Sequence, residues 1–239
     1  MQSGGFRRAS SLPSPFPHPP VITPDDTLAA ALARHGIELP ESRVARLQQY
    51  CGLLWEWNTR LNLTRHSDYE KFVTRDLVDS QAFSEHLRAG ESVLDVGTGG
   101  GVPGVVLAIL RDDLKLALSE SVGKKALAVS DIVGRLGLDV PVHHCRAEDL
   151  LAEQHYTTLV VRAVARLRKL LGWFAPCWGA FERMLVLKGP GWVEERAEAR
   201  HFGQLHGLAL RKLAVYPLPG SDSQSVLLQI CPSPCSPKG

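Results

Sequence analysis

The chain has 239 residues, of which 44% are hydrophobic and 22% charged, a composition typical of a globular protein with one domain or a domain plus a small lobe. The net charge is only +2, so an RNA-binding site would have to come from local clustering of basic residues. No apolar run approaches the roughly 20 residues that a membrane-spanning helix needs, which excludes such a helix and predicts no membrane partner.

The first segment is rich in proline and serine. Residues 1–24 contain no Asp or Glu, and the run "SSLPSPFPHPP" lacks the continuous apolar stretch of a secretory signal. Its arginines and serines are compatible with an organelle transit peptide, but the prolines disfavour the amphipathic helix that such peptides form. We therefore predict a disordered extension over residues 1–24 and a similar disordered tail over residues 232–239.

A helical cap is predicted over residues 25–90. "TPDD" supplies an N-cap, a proline and two acids for a first helix, and a glycine ends it. Apolar residues at helical spacing predict the second, and a capping box between Ser67 and Glu70 begins the third. The three predicted helices run from Thr23 to Gly36, from about Pro40 to Asn62, and from Ser67 to about Arg88.

The pattern changes at residue 92, where short apolar runs begin to alternate with helical stretches. This alternation predicts a parallel, doubly wound α/β sheet over residues 91–231, in which the last two strands pair antiparallel at one edge. The predicted strands are Ser92–Val96, Leu114–Glu120, Val140–Cys145, Thr158–Ala163, Arg183–Lys188, Leu210–Tyr216 and Val226–Ile230.

The turn "VLDVGTGGGVPG" lies where the first strand passes into a helix, which is where open α/β sheets bind ligands. Glycines permit positive φ there and let a ligand approach the main chain. Gly99, Gly101 and Gly104 fit the dinucleotide pattern G-x-G-x-x-G. Asp95, Gly97, Gly99 and Gly101 fit the D-x-G-x-G-x-G pattern of S-adenosylmethionine-dependent methyltransferases. A purely structural turn is the third possibility, because short glycine patterns have low specificity.

An acid follows the second strand. Glu120, in "LALSES", lies at the position where a carboxylate can accept both ribose hydroxyls of an adenosine. Alone, it would be read as a solvated acid at a strand end. Because the glycine turn precedes it at the right distance, we favour the ribose-binding role, which suits either cofactor.

Further stretches favour one of these alternatives. They occur in the order "WEWNTRLNLT", "TRDLVDS", "VLDVGTGGGVPG", "SESVGKK", "CRAEDL", "VRAVA" and "LKG". Together they resemble the RsmG/GidB family of bacterial small-subunit ribosomal RNA guanine-N7 methyltransferases, over about residues 25–231. The W-N-x-x-x-N-L-T element and the G-T-G-x-G-x-P-G turn are its most specific parts.

The resemblance implies a Rossmann-like class I methyltransferase fold with a small helical N-terminal cap. It implies S-adenosylmethionine as the methyl donor and N7 of a guanine in 16S ribosomal RNA, or in the small ribosomal subunit, as the acceptor. The cofactor-binding residues are expected to be Asp95, Gly97, Gly99, Val102, Glu120, Ala147, Glu148 and Arg162. The RNA-binding residues are expected to be Asn58, Asn62, Arg75, Lys124, Lys125, Arg166 and Lys188.

The chain departs from the family pattern in three places. Asp76 stands where the family's R-H-x-x-D-S element commonly has histidine, and Val161 replaces the serine of S-R-A. "SDSQSV" stands near the last strand, where basic residues are common. The cofactor motifs are intact, so these departures bear on the RNA-facing surface.

The expected chemistry needs no general base, because guanine N7 already carries a lone pair and no proton. Catalysis should come from positioning and a preorganised field. Arg162 and Glu148 are the expected catalytic residues, and Glu148 or Asp79 could favour the cationic product. Arg162 has a second reading as a structural arginine paired with a carboxylate, and motif position favours the functional one.

Other polar and aromatic residues have two readings each. Trp55 and Trp57 could stack on bases, but such residues more often pack two lobes together, so at least one is expected in the core. Asn58 and Asn62, four apart on one predicted helix face, should lock the cap to the sheet or touch RNA. Arg168 and Lys169 could belong to a basic rim or to a solvated helix face, and the sequence leaves both open.

The five cysteines do not suggest a disulfide framework. Cys51, Cys145 and Cys177 are read as reduced core thiols, which fits a cytoplasmic protein. Cys231 and Cys235 lack the further ligands of a zinc site, so no metal is expected. We also expect a monomer.

Two rival functions remain open from the residues alone. A nicotinamide-dependent oxidoreductase would use the shifted glycine pattern, but the chain shows no convincing hydride-transfer arrangement. A non-catalytic RNA- or ribosome-binding protein on the same fold is the second rival, because a fold does not establish activity. A methyltransferase for another acceptor is a third possibility.

Overall fold

The computed structural model describes residues 26–220 and 222–233, and these are built around a seven-stranded sheet. The predicted extension over residues 1–24 lies outside the described residues. So does the predicted tail, apart from its first two positions. The last strand runs through Pro232, so the predicted tail began one residue too early.

The first helix, α1, spans Leu28–Arg34. The hydroxyl of Thr27 accepts the N–H of Ala30 at 3.1 Å and caps the helix. The N-cap of the first predicted helix, Thr23, lies outside the described residues. The helix ends in the turn where Gly36 adopts a φ of +62°, as the sequence predicted.

The second helix, α2, spans Glu41–Asn58 and ends four residues before the predicted Asn62. Its end is fixed by a side chain. Oδ1 of Asn58 accepts the N–H groups of Leu63 and Thr64 at 2.8 and 3.0 Å, which turns the chain out of the helical path. Asn58 and Asn62 therefore do not share a helix face, which corrects the prediction.

The third predicted helix is continuous but not regular, with α3 at Tyr69–Lys71, a π-helical segment at Phe72–Leu77 and α4 at Val78–Ser84. The predicted N-cap at Ser67 was wrong by one residue, because Oδ1 of Asp68 accepts the N–H of Lys71 at 2.7 Å. The helix also stops before the predicted end near Arg88. The π segment shifts the side chains around residue 76 relative to a regular helix.

Strands and helices alternate in the rest of the chain. The elements are β1 Ser92–Val96, α5 Gly104–Leu110, β2 Lys115–Ser119, α6 Gly123–Arg135, β3 Val142–His143, α7 Ala147–Leu150, β4 Tyr156–Arg162, α8 Leu167–Phe174, a 3₁₀ turn Ala175–Cys177, β5 Phe181–Lys188, α9 Trp192–His201, β6 Leu208–Pro217 and β7 Gln224–Pro232. The strand order is β3-β2-β1-β4-β5-β7-β6.

The first five strands are parallel, and β7 is antiparallel to both β5 and β6. This confirms the predicted doubly wound sheet with an antiparallel edge. Each predicted strand is present, and its ends differ from the prediction by at most two residues. Apolar runs located the strands well because buried parallel strands are apolar on both faces.

The sheet is covered on both faces. Val93 lies in a buried cluster with residues of α4 and α5, whereas its neighbour Leu94 lies in the cluster beneath α8. The predicted cap does not have a core of its own. Leu47 of α2 belongs to the same buried cluster as Val105 of α5 and Ile132 of α6, so the cap packs directly onto the helices that flank the glycine turn.

A buried ion pair closes the amino-terminal edge of the parallel strands. Glu91 accepts two hydrogen bonds from Nη2 of Arg183, each at 3.0 Å, and one from the Thr158 hydroxyl at 2.6 Å. Burial alone would raise the pKa of Glu91, but these donors lower it below its usual value. This pair lies at the edge opposite the glycine turn.

A second buried carboxylate joins β1 to α5. Asp95 is 1% exposed, and its Oδ2 accepts the Thr98 hydroxyl at 2.6 Å and the N–H of Gly104 at 2.8 Å. Oδ1 is buried and has no partner in the described part of the chain. Burial raises the pKa of Asp95 to about 6, and the two donors only partly oppose that shift.

Replacing Asp95 with Asn should flatten the pH dependence of stability. The folded pKa of about 6 exceeds the ordinary value of 3.8, so between these pH values the folded protein holds a proton that the unfolded chain has lost. Stability therefore falls as pH rises through this interval. From pH 4.5 to 7.5, wild type should lose about 2 kcal/mol of unfolding free energy relative to Asp95→Asn in urea titrations. Substituting the exposed Asp112 with Asn is the control, and parallel curves for wild type and Asp95→Asn would contradict the assignment.

Candidate functional site: the carboxyl edge of the parallel strands

The predicted site residues meet at one edge of the sheet. Because β1, β2, β4 and β5 are parallel, their last residues, Val96, Ser119, Arg162 and Lys188, all lie at the carboxyl edge. The strand order reverses direction between β1 and β4, which places a crevice above that junction. The glycine turn and Glu120 stand on one side of the crevice, and Arg162 stands on the other.

The glycine turn is open towards the crevice and closely packed beneath it. Gly97, Gly99 and Gly101 have φ values of +64°, +59° and +104°, which favour glycine at these positions. A Cβ on Gly99 would meet only a backbone oxygen 4.0 Å away, so the space above it is free for a ligand. A Cβ on Gly104 would lie 2.2 Å from Cδ2 of Leu118, so that glycine is required by packing.

Glu120 is tied to this turn. Its Oε2 accepts the N–H of Gly99 at 3.0 Å and its Oε1 accepts the N–H of Val122 at 2.8 Å. The carboxylate therefore stands beside the open glycine, where the sequence predicted a ribose-binding acid. Asp95 instead points into the protein and shapes the turn from below, and its predicted contact with a cofactor stays a prediction.

The remaining predicted cofactor residues flank the same crevice. Val102 belongs to the glycine turn, and Ala147 and Glu148 form the first turn of α7, directly after the short strand β3. Ala147 is buried in the cluster on the α8 side of the sheet, whereas Glu148 is half-buried. Their placement at the carboxyl edge agrees with the prediction, and their contacts with a cofactor stay predictions.

The helical cap holds the glycine turn from its other side. The Tyr50 hydroxyl donates to the carbonyl of Gly100 at 3.0 Å, and Cδ1 of Leu54 would lie 2.8 Å from a Cβ at Gly100. Tyr50 was not among the predicted site residues. Its signal was present, because Tyr50 lies three residues after Leu47 on the apolar face that identified α2.

Arg162 lies between two carboxylates from the segment that contains the π helix. Its Nη2 donates to Oδ1 of Asp76 at 2.6 Å, and its Nε donates to Oδ2 of Asp79 at 2.8 Å. Oδ1 of Asp79 also accepts the hydroxyls of Tyr216 at 2.9 Å and Ser225 at 3.3 Å. One carboxylate thus links the cap, the end of β4 and both strands of the antiparallel edge. We call Asp76, Arg162 and Asp79 the arginine cluster.

Burial and charge act in opposite directions on the pKa values within the arginine cluster. Burial alone would lower the pKa of Arg162, but Asp76 and Asp79 raise it above its usual value. Burial raises the pKa of Asp76, and the charge of Arg162 opposes that shift. Burial, followed by the charge of Asp79, raises the pKa of Tyr216, so its hydroxyl stays a donor.

Arg162 also faces a pocket. Its side chain is 21% exposed, and the arginine cluster lines a cavity of about 1280 Å³ at the carboxyl edge. Nε and Nη2 are used by the two carboxylates, whereas Nη1 makes no hydrogen bond to any residue that the structure describes. Both readings of Arg162 therefore agree with its geometry, because it is paired with carboxylates and also lines the pocket.

Five of the seven predicted RNA-binding residues line this pocket, namely Asn62, Arg75, Lys125, Arg166 and Lys188. Asn58 and Lys124 do not line it. The side chain of Asn58 is instead bonded to the backbone of the turn after α2.

The cations that line the pocket differ in whether a protein carboxylate already pairs with them. Nζ of Lys188 lies 2.8 Å from Oε2 of Glu195 and donates to the carbonyl of Ala165, so its charge is largely compensated. Arg75 and Lys125 form no ion pair within residues 26–220 and 222–233. These two are the better candidates for phosphate contacts.

Both tryptophans of the "WEWN" element have packing roles. Nε1 of Trp57 donates to Oδ2 of Asp131 on α6 at 2.7 Å, and the Trp55 ring lies 4.8 Å from the Tyr69 ring. Both pack against the buried cluster that joins the cap to α5 and α6. Both are half-buried at the boundary between the cap and these helices, so they pack against the core without belonging to its buried centre.

Several other predictions concern groups away from the crevice. Cys51, Cys145, Cys177 and Cys231 are free thiols, and Cys235 lies outside the described residues. Within the described ranges, no three His, Cys, Asp or Glu side chains are grouped closely enough to hold a metal ion. No described helix combines the length and the apolar character needed to cross a membrane.

Sequence comparison gives the family. The sequence profile named GidB, rRNA small subunit methyltransferase G, matches residues 43–216. A ribosomal RNA small subunit methyltransferase G from Rhodopirellula baltica is 50% identical over 194 residues, which cover 81% of this chain and 84% of that protein. The protein of the same name from Pseudomonas paraeruginosa is 36% identical over 205 residues, or 79% of this chain and 96% of that protein.

Solved structures give the fold. A mutant of MtNAS in complex with S-adenosylmethionine has a TM-score of 0.52 at 18% identity, covering 88% of this chain and 86% of that one. TrmK from M. capricolum in complex with S-adenosyl-homocysteine has a TM-score of 0.51 at 11% identity, covering 64% of this chain and 67% of that one. These similarities confirm the predicted Rossmann-like class I methyltransferase fold. With the sequence matches, they show that the chain belongs to the GidB family, the rRNA small subunit methyltransferases G.

Proposed function

We propose that the chain transfers a methyl group from S-adenosylmethionine to N7 of a guanine in 16S ribosomal RNA. One observation carries this proposal: the open glycine turn with Glu120 and the pocket with the arginine cluster lie at the same carboxyl edge, on either side of the β1–β4 junction. A donor in the first and a base in the second would meet above that junction. The family name supports ribosomal RNA as the acceptor.

The residues present fit the methyl donor. Gly97 and Gly99 have no side chains to obstruct a ligand, and the space above Gly99 is open. Glu120 stands beside them, and its carboxylate can accept hydrogen bonds from the hydroxyls of a ribose. S-adenosylmethionine, when bound, supplies an electrophilic methyl group on a positively charged sulfur. The MtNAS structure was solved with this molecule, which supports it over a nicotinamide dinucleotide.

The arginine cluster fits a guanine that becomes cationic. With both carboxylates ionised, Asp76, Asp79 and Arg162 carry a net charge of −1 in a half-enclosed site. A fixed negative field favours the positive charge that develops on the base as N7 forms its bond to the methyl carbon. Nη1 of Arg162 is available to donate to the O6 acceptor on the same edge of the guanine.

No general base is needed in this scheme, because N7 has no proton to lose. The chain's residues orient the base, exclude water and provide the field. Glu148 lies outside the pocket wall, and we assign it to the cofactor side of the crevice. Asp76 adds a negative charge at a position where the family commonly has histidine, and it contributes to the field without replacing the role of Asp79.

The direct test is the identity of the methylated nucleoside. The protein is incubated with labelled S-adenosylmethionine and small ribosomal subunits, or naked 16S RNA, that lack the modification, and the RNA is digested to nucleosides. We expect the label in 7-methylguanosine. RNA that already carries the modification is the control and should take up little label. Label in another nucleoside would contradict the acceptor, and binding of RNA without transfer would favour the non-catalytic alternative.

The role of Arg162 is tested by Arg162→Lys, with Arg183→Lys as the matched control. Both arginines are partly buried and bonded to carboxylates, but Arg183 lies at the opposite edge of the sheet. A lysine cannot reproduce the guanidinium fork, so both variants should lose stability. Only Arg162→Lys should also lower kcat for methyl transfer, by at least about tenfold, because the donor facing the base is lost. Equal kcat in the two variants would show that Arg162 is only structural.

A further inference from the structure

A second concave surface adjoins the pocket along α8 and α9. It encloses a cavity of about 450 Å³ whose wall includes Arg166, Arg168, Lys169 and Trp173. Arg166 lines this cavity and the main pocket as well, so the two are neighbours at that residue. We call Arg166, Arg168, Lys169, Trp173 and Phe202 the α8–α9 surface.

Cations and aromatic rings are paired on this surface. Nζ of Lys169 lies 5.1 Å from the centre of the Trp173 ring, and the guanidinium carbon of Arg168 lies 3.6 Å from that of Phe202. Phe202 is 51% exposed, which is unusual for a large apolar side chain. Rings and guanidinium planes that remain accessible can stack on unpaired bases.

The two arginines of this surface are held in place by one acid. Glu198 accepts from Nη2 of Arg166 at 2.8 Å and from Nη1 of Arg168 at 3.4 Å. These are exposed pairs, whose net stabilisation is small, so a phosphate oxygen can compete for the same donors. Glu198 therefore orients the arginines and at the same time reduces the positive charge that they present.

An unused acceptor lies in the same cavity. Oε1 of Gln204 is buried and has no hydrogen-bond partner within the described residues, although Gln204 lines the cavity. Buried polar atoms without a partner are uncommon. A base amino group or a ribose hydroxyl would supply the missing donor.

We infer that the single-stranded RNA flanking the target guanine leaves the pocket at Arg166 and binds along the α8–α9 surface. Its phosphates contact Arg166, Arg168 and Lys169, and its bases stack on Trp173 and Phe202. This inference rests on the proposed function for the identity of the RNA. It adds a contact that would align the substrate strand without touching the reacting base.

The charges favour RNA over a protein partner here. The N-cap and first turn of α8 present three cations within four residues, beside the pocket that Arg166 also lines. Phosphates at every nucleotide match such a run, and adjacent aromatic rings match the bases. Contact with a ribosomal protein is the competing outcome, and the test below separates the two.

The test compares Lys169→Glu with Lys115→Glu, which makes the same charge change at the opposite, amino edge of the sheet. Affinity for a fluorescent single-stranded RNA and for naked 16S RNA is measured over a range of salt concentrations. Lys169→Glu should weaken binding about tenfold or more and reduce the slope of log affinity against log salt by about 0.7, the loss of one phosphate contact. Lys115→Glu should bind as wild type.

For a second variant, Glu198→Gln, we expect the opposite change in RNA affinity. Glu198→Gln keeps the size of the side chain and removes the competing charge, so affinity for RNA should rise by about threefold or more and the salt dependence should steepen. Trp173→Ala should weaken binding with little change in the salt slope, because stacking releases no counterions. Circular dichroism and thermal melting verify that each variant is folded.

Three results would overturn the inference. Lys169→Glu and Lys115→Glu could bind naked RNA equally well. Glu198→Gln could fail to increase affinity. Lys169→Glu could weaken binding to intact small subunits while leaving naked RNA unaffected, which would assign the surface to a ribosomal protein. These binding measurements do not depend on methyl transfer, so failure of the proposed reaction would be recognised separately.

Discussion

A guanidinium that is largely shielded from water must be neutralised by carboxylates that other parts of the fold supply, and this requirement organises the site. Arg162 stands at the end of a central strand, and both of its carboxylates come from the irregular helix of the cap. Removing a partner from such a pair is costly, whereas the intact pair fixes the geometry of every element that contributes to it. Through Asp79 the constraint extends to Tyr216 and Ser225, so the antiparallel edge is held in register with the cap.

This arrangement explains why the small cap is needed. On the cofactor side, Tyr50 and Leu54 of α2 contact the glycine turn at Gly100, and Asp95 holds the turn through the N–H of Gly104, while the space at Gly99 stays open. On the acceptor side, the π-helical segment brings its carboxylates to Arg162. The cap therefore contributes to both sides of the crevice. It is held there by the buried cluster that it shares with α5 and α6. A ligand is expected to find the glycine turn already formed.

The sequence was informative about residues whose place follows from the alternation of parallel strands and helices. In a parallel sheet, the residues that follow each strand lie at the same edge. The glycines after the first strand and the acid after the second were therefore expected to meet, and Gly99 and Glu120 are hydrogen-bonded. It was uninformative where side chains end helices or meet across long distances. The cap at Asp68 and the turn at Asn58 are local choices among several polar residues that could serve equally well.

The pairing of Asp76 with Arg162 joins residues 86 positions apart, and no local rule predicts it. The sequence showed only that an acid stood where histidine is common. The π-helical segment, which sets where that acid points, also lacks a sequence signature. The two readings of Arg162, structural and functional, could be stated from the sequence, but only the geometry showed that they are compatible.

If the glycine turn and the arginine cluster are two halves of one site, a crystal structure with S-adenosylhomocysteine and a 7-methylguanosine nucleotide should show both ligands in the same crevice. We expect the ribose hydroxyls on Glu120, the methylated base beside Arg162 and Asp79, and the sulfur directed at N7 across the β1–β4 junction. A base bound elsewhere, or a sulfur directed away from the pocket, would contradict it.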